Sequence, residues 1–208
     1  MWLLPAVLAP VDWVAVARHD RRTETWAKPT TLAGLLVVAL VLGAASSVPG
    51  RWTLVALAFG MVGDVALLDD SVQRFRAGVA AFLVGHAAWI VAFVTLGLPR
   101  PDWSWAVLGL VTASAVATRN VVPASHRAHG ISVSLPVAVY TLVLGAMLVC
   151  AWFTGEPLVA AGAAIFVASD ATLSVDRFVR RLPSGHVIVM VTYHVGQALM
   201  LAGVLAAT

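Results

Sequence analysis

The sequence predicts an all-α membrane protein, a polytopic bundle of eight transmembrane helices with both termini outside. Three observations carry this expectation. Of the 208 residues, 61% are hydrophobic and 11% charged, with a mean hydropathy of +0.93, far outside the range of soluble globular domains. The apolar residues fall in runs too long and too uniform for the alternating strands of a barrel. The basic residues between those runs are one-sided, as they are where Lys and Arg favour the cytoplasmic face.

Charged, Pro and Gly breaks bound the eight runs. Trp2–Ala17 has no basic residue before it and several after it, so it reads as a retained helix and not a cleavable signal peptide. Thr30–Ser47 follows the Lys28-Pro29 break, Trp52–Leu68 follows Arg51, and Ala77–Leu98 follows Arg76. Trp103–Thr118, Ile131–Phe153, Pro157–Val175 and Val187–Thr208 complete the set. Several are short for a hydrocarbon core of roughly 30 Å, which needs about 20 helical residues, so their ends extend beyond the apolar runs. With eight spans, the alternate loops hold Arg18, Arg21, Arg22, Lys28, Arg74, Arg76, Arg119, Arg127, Arg177, Arg180 and Arg181 on one side, against Arg51 and Arg100 on the other. That bias puts the first group in the cytoplasm and both termini outside.

No loop exceeds about a dozen residues, which leaves no room for a soluble domain; residues 1–208 read as one integral-membrane helical domain. The pI near 9.8 describes a membrane-facing charge pattern, and no nucleic-acid partner is expected. Cys150 is the only cysteine, so neither an intrachain disulfide nor a cysteine metal cage is possible. Trp26, Trp52, Trp103, Trp105 and Trp152 fall near span ends, as an interfacial aromatic belt does.

The chemistry concentrates in a few intramembrane residues. Asp64 in FGMVGDVALL and Asp170 in FVASDATLS are carboxylates at membrane depth, costly unless they face the protein interior, water or a partner. Each lies four or five residues from the cytoplasmic end of its run, on the order of 6–8 Å below that surface, and Asp12 lies at a similar depth. Asp12 is close enough to Arg18 or the interface to serve as an anchor. His86 shares a helical face with Phe82 and Trp89, and suits either a buried core position or a site. Tyr193, His194 and Gln197 form a polar stripe that either lines a cavity or joins helices. Tyr140 follows Pro136 by four residues, where a kink would expose backbone. Lys28 at the start of the second span is either a positive-inside anchor or a phosphate contact at a helix N-terminus. His126 and His129, in a loop, lack a clear third metal ligand. A weak internal echo links the two aspartate spans: G-D-x-x-L, Arg74-Phe75 and His86 in one, S-D-x-x-L, Arg177-Phe178 and Tyr193-His194 in the other.

Taken together, AKPTT at 27–31, GDVALL at 63–68 with Phe75, Gly78, Phe82 and His86, LPVAVY with Met147, and GAAIFVASDATLSVDRF followed by VTYHVGQALM resemble the YhhN family of membrane lysoplasmalogenases. The resemblance covers most of the chain, from Lys28 to Met200. It implies hydrolysis of the vinyl ether bond of a lysoplasmalogen to a fatty aldehyde and a glycerophospho-alcohol, in the cell membrane. It also marks Lys28, Asp64, His86, Tyr140, Ser169, Asp170, Tyr193 and Gln197 as motif positions. Gly60, Trp89 and His194 depart from the residues expected there.

The residues suit that reaction. Protonating the β-carbon of a vinyl ether creates an oxocarbenium ion that water captures, which calls for one carboxylic acid and one stabilising anion, as in glycosidases. The expected catalytic residues are Asp64, Asp170 and His86, and the expected substrate contacts are Lys28, Tyr140, Ser169, Tyr193, His194 and Gln197. A lysophospholipid and membrane lipids are the expected partners, with no metal or organic cofactor required. A metal-dependent membrane lipid amidase or esterase, and a non-enzymatic lipid carrier, are the alternatives.

Overall fold

A computed structural model of the chain describes residues 1–69, 71–100, 104, 107–108, 111–112, 115 and 118–208. Among these the long elements are α1 (Leu3–Ala17), α2 (Arg21–Val41), α3 (Val48–Ala66), α4 (Val72–Leu96), α5 (Val121–His129), α6 (Ile131–Phe153), α7 (Pro157–Phe178) and α8 (Gly185–Ala207), with a single 3-10 turn between α2 and α3. Most of the expected fifth span, Trp103–Thr118, lies outside the described residues, including its Trp103 and Trp105.

Local chemistry sets the helix starts. The Asp20 carboxylate accepts the Thr23 amide at 3.2 Å and the Thr23 hydroxyl at 2.6 Å, capping α2 and holding the Asp20 carboxyl below its ordinary range. Ser47 accepts from the Gly50 amide at 3.1 Å with Pro49 in the first turn of α3, and Ser71 accepts from the Arg74 amide at 3.3 Å at the start of α4. Two corrections follow. The polar run after Arg18 is not a loop: α2 begins nine residues before the expected Thr30, so Lys28 and Pro29 lie two turns inside a helix. The segment carrying His126 and His129 is also helical; His126 Nδ1 lies 3.1 Å from the Ser134 hydroxyl and His129 packs edge-on to Phe178.

Among the described residues, α4, α6, α7 and α8 are long and apolar enough to cross a membrane, and α1 is apolar but shorter, at 15 residues. α2 carries Arg21, Arg22, Glu24 and Lys28 in its first two turns.

Two helix pairs, α3 with α4 and α7 with α8, pack most extensively. Both use glycine to bring backbones together. A Cβ at Gly162 on α7 would lie 2.7 Å from the Met200 amide nitrogen on α8, and one at Gly203 would lie 2.8 Å from the Val159 nitrogen. On the other pair, a Cβ at Gly63 would meet the Phe82 ring at 2.6 Å. Close approach through small residues replaces the hydrophobic drive that is missing between helices in lipid. α2 and α6 flank these pairs, and Leu32, Leu57, Trp89, Phe93, Met147, Phe166, Met200 and Leu201 form a continuous buried core. A second cluster of Phe75, Val121, Val133 and Val137 docks α5 against the ends of α4 and α6.

Gly162→Leu forces α7 and α8 apart. Overpacking of this kind costs about 1–3 kcal/mol, so the detergent-solubilised variant should melt below the wild type, whereas Gly145→Leu, whose Cβ would meet no described residue within 4 Å, should not. Thermal unfolding followed by circular dichroism checks the comparison.

Candidate active site

Two carboxylate pairs form the polar centre of the bundle. In the first, Asp64 in the last turn of α3 accepts from the Tyr193 hydroxyl of α8 at 2.9 Å, and the Lys28 ammonium of α2 lies 3.4 Å from its other oxygen. Asp64 is 1% exposed and Lys28 6%. An ion pair at that depth persists only with further hydrogen bonding, which Tyr193 supplies. In the second, Tyr140 of α6 donates to Asp170 of α7. Asp170 is buried, and among the described residues it has no cation partner corresponding to Lys28.

His86 of α4 and two phenylalanines join the pairs. The His86 ring meets Tyr140 at 5.1 Å and Phe166 at 5.0 Å between centroids, and Phe166 and Phe82 meet Tyr193 at 5.6 and 6.0 Å. These rings link the Asp64–Tyr193 pair to the Tyr140–Asp170 pair. The His86 Nδ1–H donates to the Phe82 carbonyl one turn back, which fixes the tautomer and leaves Nε2 as an acceptor. That Nε2 is buried and has no hydrogen-bond partner among the described residues. Helical spacing explains the convergence: Phe82 and His86, Phe166 and Asp170, and Tyr193 and Gln197 are each one turn apart on one face of a helix.

Two cavities meet at the Tyr140–Asp170 pair. The larger, about 340 Å³, runs between α6, α7 and the described positions Val111, Ala115 and Thr118. The smaller, about 50 Å³, is lined by Phe75, Phe82, Val137 and Arg177, with the Arg177 guanidinium 4.0 Å above the Phe75 ring. Tyr140, Asp170 and Ser174 border both. Asp64, Lys28 and Tyr193 line neither.

Asp64, Asp170, Tyr140, Tyr193, Lys28 and His86 thus come together, and the other expected contacts have separate partners. Gln197 accepts from the Trp89 indole at 3.2 Å, and its amide nitrogen and the Tyr193 hydroxyl flank Gly60, where a Cβ would touch both at 3.7 and 3.5 Å. The Ser169 hydroxyl donates to the Val189 carbonyl at 2.9 Å and ties α7 to α8. His194 turns toward α1 and accepts from the Trp13 indole at 3.1 Å.

Three expectations are corrected. Lys28 is not at a helix N-terminus, so no free helix-end amides stand beside it. The two aspartates are not equivalent along their helices: Asp64 is in the last turn of α3, while Asp170 lies about two turns before the end of α7. Asp12 is no surface anchor. It is fully buried, neither of its oxygens has a hydrogen-bond partner among the described residues, and Arg18 is exposed. Its position five residues before the end of an apolar run, matching Asp170, was the signal for that burial.

The fold and this centre define a helical membrane protein with a buried cluster of carboxylates, phenols, a lysine and a histidine. The chain belongs to the YhhN family, whose profile matches residues 23–204. It is 27% identical over 201 residues to Lysoplasmalogenase TMEM86B of Homo sapiens, covering 96% of this chain and 84% of that protein. It is 29% identical over 152 residues to Lysoplasmalogenase TMEM86A of Bos taurus, covering 70% of this chain and 62% of that one. With Lysoplasmalogenase of Mycobacterium bovis the identity is 27% over 156 residues, covering 74% and 60%. The bovine and mycobacterial matches span less than two thirds of those relatives' own length. No solved structure matches the chain.

Removing Lys28 leaves Asp64 buried without its cation. Lys28→Met should therefore destabilise the protein by about 3–5 kcal/mol, and adding Asp64→Asn to that variant should recover part of the loss. A double-mutant cycle of unfolding free energies measures the coupling, and additive effects would remove the ion pair from the account.

Proposed function

We propose that this chain is a membrane lysoplasmalogenase that cleaves the vinyl ether bond of lysophospholipids to a fatty aldehyde and a glycerophospho-alcohol. The family and the names of the three relatives support the substrate class. The observation that carries the chemistry is the asymmetry of the two carboxylates. Asp170 sits where two cavities meet and is held, among the described residues, by a hydroxyl, whereas Asp64 is enclosed and is a carboxylate ion-paired with Lys28.

On this reading Asp170 is the proton donor and Asp64 the fixed anion. Asp170 delivers its proton to the β-carbon, and the carbon–oxygen unit becomes an oxocarbenium ion whose charge Asp64 stabilises through a low-dielectric interior. Water adds to the α-carbon and gives a proton to His86 Nε2. The hemiacetal hydroxyl then returns a proton to Asp170, the carbon–oxygen bond to the glycerol breaks, and His86 protonates the departing oxygen. One water is consumed and each group returns to its starting state. Tyr140 and Tyr193 orient the two carboxylates, and Lys28 acts through Asp64.

The same proposal includes a single membrane domain over residues 1–208, eight spans, both termini outside and residence in the cell membrane. The eleven-to-two distribution of basic residues supports that topology.

Asp170→Asn and Asp64→Asn should each lower turnover at least about 10²-fold while the protein remains folded. The pH–rate profile should be bell-shaped, because Asp170 must carry a proton when His86 does not. Hydrolysis of lysoplasmalogen in detergent, with the saturated ether and acyl analogues as controls, checks both; asparagine variants that keep more than about a tenth of the activity would make the carboxylates structural. For the topology, Thr25→Cys in a Cys150→Ala background should resist impermeant thiol reagents on intact cells and react once the membrane is opened. Labelling from outside would reverse the orientation.

A further inference from the structure

The 340 Å³ cavity beside Asp170 differs in character from the rest of the site. Its lining includes Leu144, Leu148 and Val167, all buried, and Tyr140, Asp170 and Ser174 stand where it borders the smaller cavity. Leu142 and Ala146, both exposed, mark its opening on the apolar surface of α6. The small cavity that borders the same carboxylate is lined in part by Arg177, a cation. A molecule spanning the two cavities would have a hydrocarbon tail at one end, an anion at the other, and its reacting bond at Asp170.

We infer that the larger cavity is the hydrocarbon-chain subsite of the lysolipid, entered sideways from the bilayer, and that Gly145 sets the length of chain it accepts. This rests on the lysolipid reading above. Gly145 lines the cavity, lies in the middle of α6, and has space where its Cβ would be, with no atom of the described residues within 4 Å. Among the described residues no helix contact calls for a glycine there, in contrast to Gly162, whose Cβ would collide with α8. Its missing side chain is room for a ligand, and any larger residue projects into the space the chain would fill. A chain bound there lies along α6 and α7 with its first carbons at the Tyr140–Asp170 pair. The anionic end then faces Arg177, where a guanidinium suits a phosphate.

Two measurements test the assignment. The ratio of kcat/KM for a hexadecenyl over an octenyl lysoplasmalogen should fall by at least about 10-fold in Gly145→Leu, with a smaller fall in the same direction for Gly145→Ala. An unchanged ratio in both variants would overturn the role of Gly145. Independently of turnover, a saturated-ether lysophosphatidylethanolamine with a diazirine at the chain end should, on irradiation, modify residues of α6 between Leu144 and Val149 or Val167 of α7. Gly145→Leu should reduce those adducts. Adducts mapping elsewhere on an active wild-type protein would overturn the subsite and leave the proposed reaction standing. Adducts in the cavity of a wild-type protein that cleaves no lysoplasmalogen would uphold the subsite and overturn the reaction.

Discussion

The Lys28–Asp64 ion pair is the interaction on which the rest of the polar interior depends. It joins α2 to α3, and the hydroxyl of Tyr193 extends it to α8, so three helices share one buried charge network. In an apolar bundle such a network is either fully satisfied or strongly destabilising. The satisfied arrangement fixes the rotation of each helix about its own axis. Once α8 is turned so that Tyr193 reaches Asp64, Gln197 one turn later meets Trp89 of α4, and His194 on the adjoining face meets Trp13 of α1. The orientation of one side chain therefore propagates to helices that do not touch the ion pair.

Packing without side chains complements this. The α3–α4 and α7–α8 pairs each close on glycines, and each carries one of the two central aspartates. Backbone contact makes each pair stiff, and the polar network sets the distance between them. What differs is the setting of the two carboxylates: one faces the lysine of α2, the other a phenol of α6 and two cavities. The same local motif is thus given two electrostatic environments by its neighbours. An acid and an anion in one site require that difference.

Much of the candidate site's clustering was legible in the sequence, because an ionisable residue inside an apolar run has few places to go. Asp64, Asp170, Tyr140, Tyr193 and Lys28 met as hydrogen-bonded or ion-paired partners for that reason. The bounds of α6 were legible because Gly130 and Gly155 punctuate a uniform apolar run. The start of α2 was not, since Arg21, Arg22, Glu24 and Lys28 depress hydropathy while an Asp20 cap and good helix formers extend the helix through them. Asp12 was misjudged for a related reason: nearness to Arg18 in sequence says nothing about which face of α1 each occupies. The partners of Ser169 and His194 depend on helix rotation, which no single run of residues encodes.

Lys28 is the only lysine in the chain, the other twelve Lys or Arg residues all being arginine, and it is buried with its ammonium engaged by Asp64. Free lysine amines condense with carbonyl compounds to Schiff bases. A fatty aldehyde set free in this bundle or in the surrounding lipid would meet guanidinium groups on the surface of the folded chain and no exposed lysine amine. The burial that organises the site also shields the protein from covalent damage by its proposed product.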